Sequence, residues 1–593
     1  MKLMPSPRKI EYGANYISLS KSYSVKCPFD YPRALKYLNT FIVSDTKAEN
    51  AVIFARDGKM EDEEYSLKFD GDITVTSNGE RGAHLALTTL KQIVAEGETN
   101  VSFISDKPKV KLRGYMLDVS RGRLPKVERL HEIVDIIADM KYNHFELYID
   151  TRVFEYAHFK KYCENCLTPA DIISLREHCK DRFVDLCPNQ NGFGHMAGWL
   201  GLDEFRHLGI SREDGKPKDT LNPLLPEAVE HAKALYADTL PLFESEYANV
   251  GMDEPFSLGK GETKEECDRR GKGEVYVEYL NKILSFVKEE YGKTPMFWDD
   301  HVMAHPDSIP KIYKDSIALV WGYEQEWPQM ERCRLLAEQG RRFIVCPSTA
   351  NFNSITGRFN NAQYNIDGAV RSCLCFGGEG VIVTDWGDGG HPQCFAMSLM
   401  PLAFAASCMW NYCDDREITP IKHLVHEKMT GASIACEEYL DRAVFGVKGL
   451  ARLTHLMQNY YLLESRLSWA GPHYECEANQ AMNNVPSRLD PLTMRLIEGY
   501  MREIKAELLK YPKDTPHIDD IILNCDMVIA IHQFSQARRA NDTEALAKIR
   551  EFMRDIEARF LILWRKNSFD RGFEIFLEKE NGIWKRIKNN IDG

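Results

Sequence analysis

The sequence predicts an α/β protein built on a closed (β/α)8 TIM barrel, with a small α/β domain ahead of it and an α-helical domain behind. Three observations carry that prediction. Eight short apolar runs recur across residues 109–424 with helical or loop segments between them. Strand-like alternation fills residues 1–108, and strand-like runs vanish over 425–593. Apolar strands alternating with helices over about 300 residues are the pattern of a closed parallel barrel, whose strand C-termini meet at one rim. A chain of 593 residues also exceeds a single compact core, so several domains are expected.

Each element follows in order. Residues 1–108 alternate β-like runs (AVIFAR, YSLKFDGDITVTS) with one good helix, RGAHLALTTLKQIVAE, whose apolar residues fall at three- and four-residue spacing. The Pro- and Lys-bearing segment ISDKPKVKLRG forms a junction. RGYMLDVS then opens the barrel, and the helix KVERLHEIVDIIADMKY leads to HFELYI. The remaining strands are FVDLCPN, YANVGM, TPMFWDD, IALVWGY, RFIVCPS and EGVIVTDW, separated by helices such as LPEAVEHAKALYADTLPLF. The tail carries long amphipathic patterns such as ALAKIREFMRDIEARFLILWRK.

Composition narrows the function. Net charge is −13 with no basic block, which argues against a nucleic-acid groove and against a polybasic membrane anchor. No apolar run approaches the roughly 18–20 residues of a membrane span. The opening MKLMPSPRKIEYGANYISLS lacks the apolar stretch of a signal peptide. The expectation is a cytoplasmic protein, or a secreted or periplasmic one if a leader has been removed. Sixteen cysteines lie scattered, many inside apolar runs, as buried reduced thiols do. The one Cys-x-x-Cys, Cys163 and Cys166, lacks the second pair that a zinc site needs, so neither metal nor cofactor is expected.

The residues closing each strand suggest chemistry. They are Asp118 and Arg121, then Asp150, then NQNGFGH with His195, then Asp253 and Glu254. Next come Trp298 with Asp299 and Asp300, Trp321 with Tyr323, STANFNS with Asn351 and Asn353, and DWGDGGH with Trp386 and Asp388. Tryptophans after three different strands, interleaved with carboxylates and an arginine, make a cup for a sugar, aromatic walls against its apolar faces and charged groups on its hydroxyls. The adjacent acids pose a puzzle, because neighbours on a regular strand face opposite ways. Two independent carboxylates of a retaining glycosidase flank the anomeric carbon about 5 Å apart. Sequence neighbours suit another division of labour: one protonates the leaving oxygen while the other orients a nucleophile carried by the substrate, such as a 2-acetamido group.

These motifs resemble glycoside hydrolase family 20, the β-N-acetylhexosaminidases, in particular a bacterial subgroup with NQNxFGHM and DWGDxGH motifs. The resemblance implies a retaining, exo-acting, substrate-assisted mechanism through an oxazolinium ion, on a terminal β-linked GlcNAc or GalNAc. It implies Glu254 as general acid/base, Asp253 as partner of the acetamide N–H, and His195 as support for the general acid. Arg121 and Asp388 would hold the distal hydroxyls, and Trp298, Trp321 and Trp386 would line the pocket. The family's tyrosine after the seventh strand, which bonds the acetamide oxygen, is missing from STANFNSITGR. Tyr323, or the amide of Asn351 or Asn353, is left to replace it. Asp150 is expected either beside His195 or capping its own turn. The implied partner is a carbohydrate, not nucleic acid or membrane, and homo-oligomerisation stays open. Two other classes stay in play: a non-catalytic sugar-binding barrel, and a metal-dependent isomerase or lyase using Asp253, Glu254, Asp299 and Asp300.

Overall fold

The computed structural model describes residues 2–212, 215, 218–325, 327–352, 354–388, 390–411, 422–460 and 491–578. Asn353 lies outside the described residues. The first domain is a seven-stranded mixed sheet of β1 (Lys9–Ser18), β2 (Ser22–Lys26), β3 (Val43–Ser44), β4 (Ala51–Arg56), β5 (Tyr65–Asp70), β6 (Asp72–Ser77) and β7 (Glu98–Asp106), in the order β1-β7-β5-β6-β4-β2-β3. Val52, Phe54, Leu67, Ile73 and Val75 bury against the helix Glu80–Val94, so the alternation seen in the sequence becomes one core. A second helix, Pro32–Leu38, was not expected. At seven residues it is too short for a helical period to show, and its only signal is a proline in the first turn.

Eight parallel strands close the barrel: β8 (Leu112–Asp118), β9 (His144–Ile149), β10 (Asp185–Gln190), β11 (Tyr247–Asn249), β12 (Thr294–Trp298), β13 (Ile317–Trp321), β14 (Arg342–Cys346) and β15 (Gly380–Asp385). All eight coincide with apolar runs of the sequence. Phe145, Leu147 and Ile149 of β9 face the surrounding helices, while Tyr148 joins Met116, Met296, Trp298, Leu319 and Ile382 inside the barrel. That interior has a polar side. Glu146, fully buried, takes a hydrogen bond from Asn189 (2.8 Å) and one from Asn249 (3.0 Å), and its other oxygen lies 2.8 Å from His144 Nε2. Behind the barrel the described chain is helical, including Lys422–Leu440, Leu450–Tyr460, Pro491–Leu508, Ile518–Ala540 and Thr543–Asn567.

A buried charge pair fastens the first domain to the barrel. Lys141 Nζ lies 3.3 Å from Asp106 Oδ2 and donates to Tyr65 Oη (2.8 Å), over the Trp410 ring at 4.1 Å. Asp106 also accepts from Tyr65 (2.5 Å) and from Trp410 Nε1 (2.9 Å). Both charges are shut off from water, and burial, partly offset by Asp106, lowers the Lys141 ammonium to about 8. Removing one partner of such a pair typically costs about 3–5 kcal/mol. Lys141→Met is therefore expected to lower the melting temperature clearly, and the double variant with Asp106→Asn to recover part of the loss, as calorimetry can check.

Candidate active site

The acid pair is built by an interruption of β11. The strand stops at Asn249, and Gly251, Met252 and Glu254 then take left-handed backbone angles (φ 74°, 78° and 48°). Non-glycine residues pay about 1–3 kcal/mol for such angles, and they persist where surrounding structure over-determines them. Here the path is held from both sides. Asn191 Oδ1 accepts from Met252 N (3.2 Å), Asp300 Oδ2 accepts from Glu254 N (3.0 Å), and a Cβ on Gly194 would overlap the Asp253 carbonyl. Strand alternation no longer applies, and both carboxylates turn to one group: His195 Nε2 lies 3.3 Å from Asp253 Oδ2 and 3.2 Å from Glu254 Oε2.

Asp253 is buried and accepts a second hydrogen bond from Asn191 Nδ2 (2.6 Å), which also donates to Tyr148 Oη (3.1 Å). Burial alone would raise the Asp253 carboxyl, but the imidazolium of His195 and then Arg121 pull it below the ordinary range. Burial alone would lower His195, yet the Asp253 charge and the bonds to both acids hold it well above its ordinary value. The two shifts agree, so at neutral pH the pair is carboxylate and imidazolium. Glu254 differs: its side chain keeps 32% exposure and opens toward solvent. Burial, and then the charge of Asp253, push Asp300 up to about 8, so its carboxyl brings little negative charge beside Glu254.

On the other side of the rim, Arg121 is the hub. It donates to Asp118 (2.9 Å), lies 3.3 Å from Asp388 Oδ1, and sits over the rings of Tyr148 (5.1 Å) and Trp386 (4.8 Å). Asp118 is completely buried and also takes the Gly387 N–H (2.9 Å), joining the loops after β8 and β15. Asp150 stands 4.0 Å from Arg121, while the Nε2 of His195 is spent on the acid pair; burial pushes Asp150 up to about 6 despite Arg121. The charge of His195 acts on Asp150 in the same direction as that of Arg121, so the two residues stand within electrostatic reach of each other.

The aromatic residues converge. Trp298 and Trp386 lie 6.0 Å apart at the floor, Tyr323 stands 6.4 Å from Trp386, and Trp321 stacks on Tyr323 at 5.0 Å. Trp321 Nε1 donates to Asp300 Oδ1 (3.3 Å), tying this wall to the backbone of Glu254. Phe352 closes the wall 5.7 Å from Tyr323. Asn351 is absent from it. Its amide donates to Ser398 (2.8 Å), beside Asp385, on the helix side of the barrel. Asn351 is corrected from a pocket residue to a buried structural one. Asn191 and Tyr148 are site residues to which sequence reasoning gave no role, although the inward phase Glu146–Tyr148–Asp150 pointed at Tyr148; Asp118, expected only as one of the rim carboxylates, is found to hold Arg121.

Among the described residues, one His/Cys/carboxylate group brings metal-type donors within 4.8 Å of one another: His144, Glu146 and Cys187. Glu146 is already hydrogen-bonded on both oxygens, and the group lies inside the barrel at the level of β9 and β10, below the rim. The rim acids are likewise engaged by His195, Asn191, Arg332 and Trp321.

Fold and site together define a (β/α)8-barrel protein whose rim sets paired acids against an aromatic wall. The chain belongs to glycosyl hydrolase family 20: residues 111–372 match the family's catalytic domain and residues 1–110 its domain 2. It is 24% identical over 285 residues to the human β-hexosaminidase subunit beta, spanning 43% of this chain and 51% of that relative. It is 25% identical over 336 residues to β-hexosaminidase subunit A1 of Dictyostelium discoideum, spanning 51% of this chain and 61% of that relative. The chain thus spans little more than half the length of the curated relatives it matches. Among solved structures, the chitobiase of Flavobacterium johnsoniae superposes over 99% of both chains with a TM-score of 0.59 at 17% identity. The exo-β-N-acetylglucosaminidase of Vibrio harveyi, in complex with N-acetylglucosamine, superposes over 74% of this chain and 77% of that one, with a TM-score of 0.57 at 18% identity. At these identities the structural likeness speaks for the fold.

Proposed function

We propose that this protein is a retaining exo-β-N-acetylhexosaminidase that removes a terminal β-linked N-acetylhexosamine by substrate-assisted catalysis. The observation that carries this reading is the convergence of Asp253 and Glu254 on a single nitrogen of His195. Neighbouring carboxylates tied to one imidazole nitrogen suit a division of labour in which one protonates the leaving oxygen while the other orients a nucleophile carried by the substrate. In this reading the nucleophile comes from the substrate, as its 2-acetamido oxygen.

In this mechanism Glu254, the more exposed acid, protonates the departing oxygen and later activates water. Asp253, ionised and buried, accepts the acetamide N–H and stabilises the positive charge of the oxazolinium ion. His195 fixes the separation of the two acids. The hydroxyl of Tyr323 takes the place of the family's missing tyrosine at the acetamide oxygen, supported by its position on the wall beside Trp386 and Phe352. Arg121 and Asp388 bind the distal hydroxyls, which makes the site exo-acting, and Trp298, Trp321 and Trp386 enclose the ring. Family membership and the names of the relatives favour the same reading.

The test compares an aryl N-acetyl-β-glucosaminide with the matching aryl β-glucoside, which has a 2-hydroxyl instead. The first is expected to turn over, and the second to be slower by at least about 10³-fold, since a held neighbouring group replaces a bimolecular attack. A thiazoline analogue of the bicyclic intermediate is expected to inhibit strongly. Activity should survive excess chelator, which separates this reading from a metal-dependent barrel enzyme. A 2-fluoro sugar trapped as an ester on any carboxylate would overturn the mechanism.

A further inference from the structure

We propose that the C-terminal segment Asn567–Gly572 is part of the sugar-binding machinery: it positions Arg121 and Asp388, and so sets discrimination at the distal end of the sugar. The proposal rests on the assignment of those two residues to the distal hydroxyls.

The segment leaves the helix Thr543–Asn567 and runs along the rim as an irregular extra strand. Ser568 forms an antiparallel bridge with Pro125, Lys126 N donates to Asn567 O (3.0 Å), and Phe569 N donates to Leu124 O (2.9 Å). These bonds pin the stretch that immediately follows Arg121. The Arg571 guanidinium then donates to the carbonyl of Arg152 and to that of Glu164 (3.3 Å), so the loop after β9 is held by the same strap.

The closest contact is between glycines. Gly572 (φ 92°) lies so near the peptide of Gly122 (φ 119°) that a Cβ on it would overlap the Gly122 carbonyl, and a Cβ on Gly122 would come 3.3 Å from the Gly390 carbonyl. Three backbones are thus layered: C-terminal strap, β8 loop, β15 loop. Gly122 follows Arg121 in sequence, and Gly390 lies two residues beyond Asp388. The middle and last layers therefore carry the two partners of the 3.3 Å ion pair. A partly open cavity of about 50 Å³ lies behind these loops, lined in part by His391, Ser398, His517 and Asn567. Asp118 and the Trp386 ring hold the Arg121 side chain itself, and the glycine layers with the strap hydrogen bonds constrain the backbone of the two loops that carry Arg121 and Asp388.

Gly572 and Arg571 are positioning residues in this scheme, and two substitutions test it. Gly572→Ala pushes the β8 loop outward, and Arg571→Ala loosens the strap without a clash. Gly499→Ala, whose new Cβ meets nothing within 4 Å, is the control elsewhere in the helical region. The readouts are KM and kcat on the C4-epimeric aryl N-acetyl-β-glucosaminide and -galactosaminide, and hydrogen exchange of peptides covering 119–124 and 386–391. Expected for Gly572→Ala is a KM raised about tenfold with kcat changed less than about threefold, the kcat/KM ratio of the two epimers moving toward one. Exchange in both peptides should be about tenfold faster in both strap variants and unchanged in the control. If Gly572→Ala fails to fold, Arg571→Ala decides alone. If the wild type hydrolyses neither glycoside, the functional assignment fails, and the exchange data still judge the strap. Unchanged exchange with an unchanged epimer ratio, or a loss confined to thermal stability, overturns the proposal.

Discussion

Glu254→Gln is expected to lower kcat/KM by about 10²–10⁴-fold on a chitooligosaccharide, the usual contribution of a positioned general acid. A sugar alkoxide is a poor leaving group and needs its proton in the transition state. On a nitrophenyl glycoside the leaving group departs as a stable anion, so the loss there should be far smaller. The geometry makes the variant a clean one. Glu254 reaches His195 through one oxygen, its own backbone N–H is held by Asp300, and glutamine preserves the shape. Steady-state kinetics on the two substrate classes check the expectation, and equal losses on both would remove Glu254 from the acid role.

Asp253→Asn is expected to cost about 10²–10³-fold in kcat on every N-acetyl substrate, whatever the leaving group, because it removes a preorganised charge from the developing oxazolinium ion. It also carries a pH signature. His195 is raised and Asp253 lowered by their mutual attraction, together with the other contacts of the site. The His195 contribution to stability is full below about 6.5 and is lost as pH rises through its raised folded value. The Asp253 contribution is full above its unfolded value and is lost as pH falls through its depressed folded one. The pair thus stabilises most between the two unfolded values, from about pH 4 to 6.5. Taking away the Asp253 charge lets the imidazolium lose its proton at lower pH. The alkaline limb of kcat/KM should move to lower pH in the variant, and a limb that stays in place would sever the coupling between these residues.

The sequence disclosed the barrel because each strand is a compact apolar run ending in a polar residue that solvent or substrate must meet. It did not disclose how Asp253 and Glu254 come together. Period-two reasoning assumes extended backbone, and three left-handed residues in Gly251–Glu254 remove that assumption. Tyr148 and Asn191 lie in phase with inward residues of β9 and the β10 loop, so alternation pointed at them, but no charge marked them out. Asn351 misled because a polar run after a strand looks the same whether its side chains meet the pocket or the helix side, where Asn351 bonds Ser398. Contacts between the C-terminal segment and the β8 loop span more than four hundred residues, and no local pattern announces them.

Trp410 has a consequence for the order in which the chain can mature. It closes the core of the first domain, packing with that domain's buried residues, and its backbone pairs with Lys109 while that of Met409 pairs with Val110. Yet it is made some three hundred residues later than its partner Asp106. During synthesis the N-terminal sheet must therefore wait, with Asp106 and Tyr65 unsealed, until the whole barrel has left the ribosome. A fragment ending near residue 108 would carry every strand of that sheet and still lack the side chain that completes it. The natural unit of maturation is the two domains together, and a nascent chain stalled before Trp410 is the state in which chaperone binding to the first hundred residues should be longest.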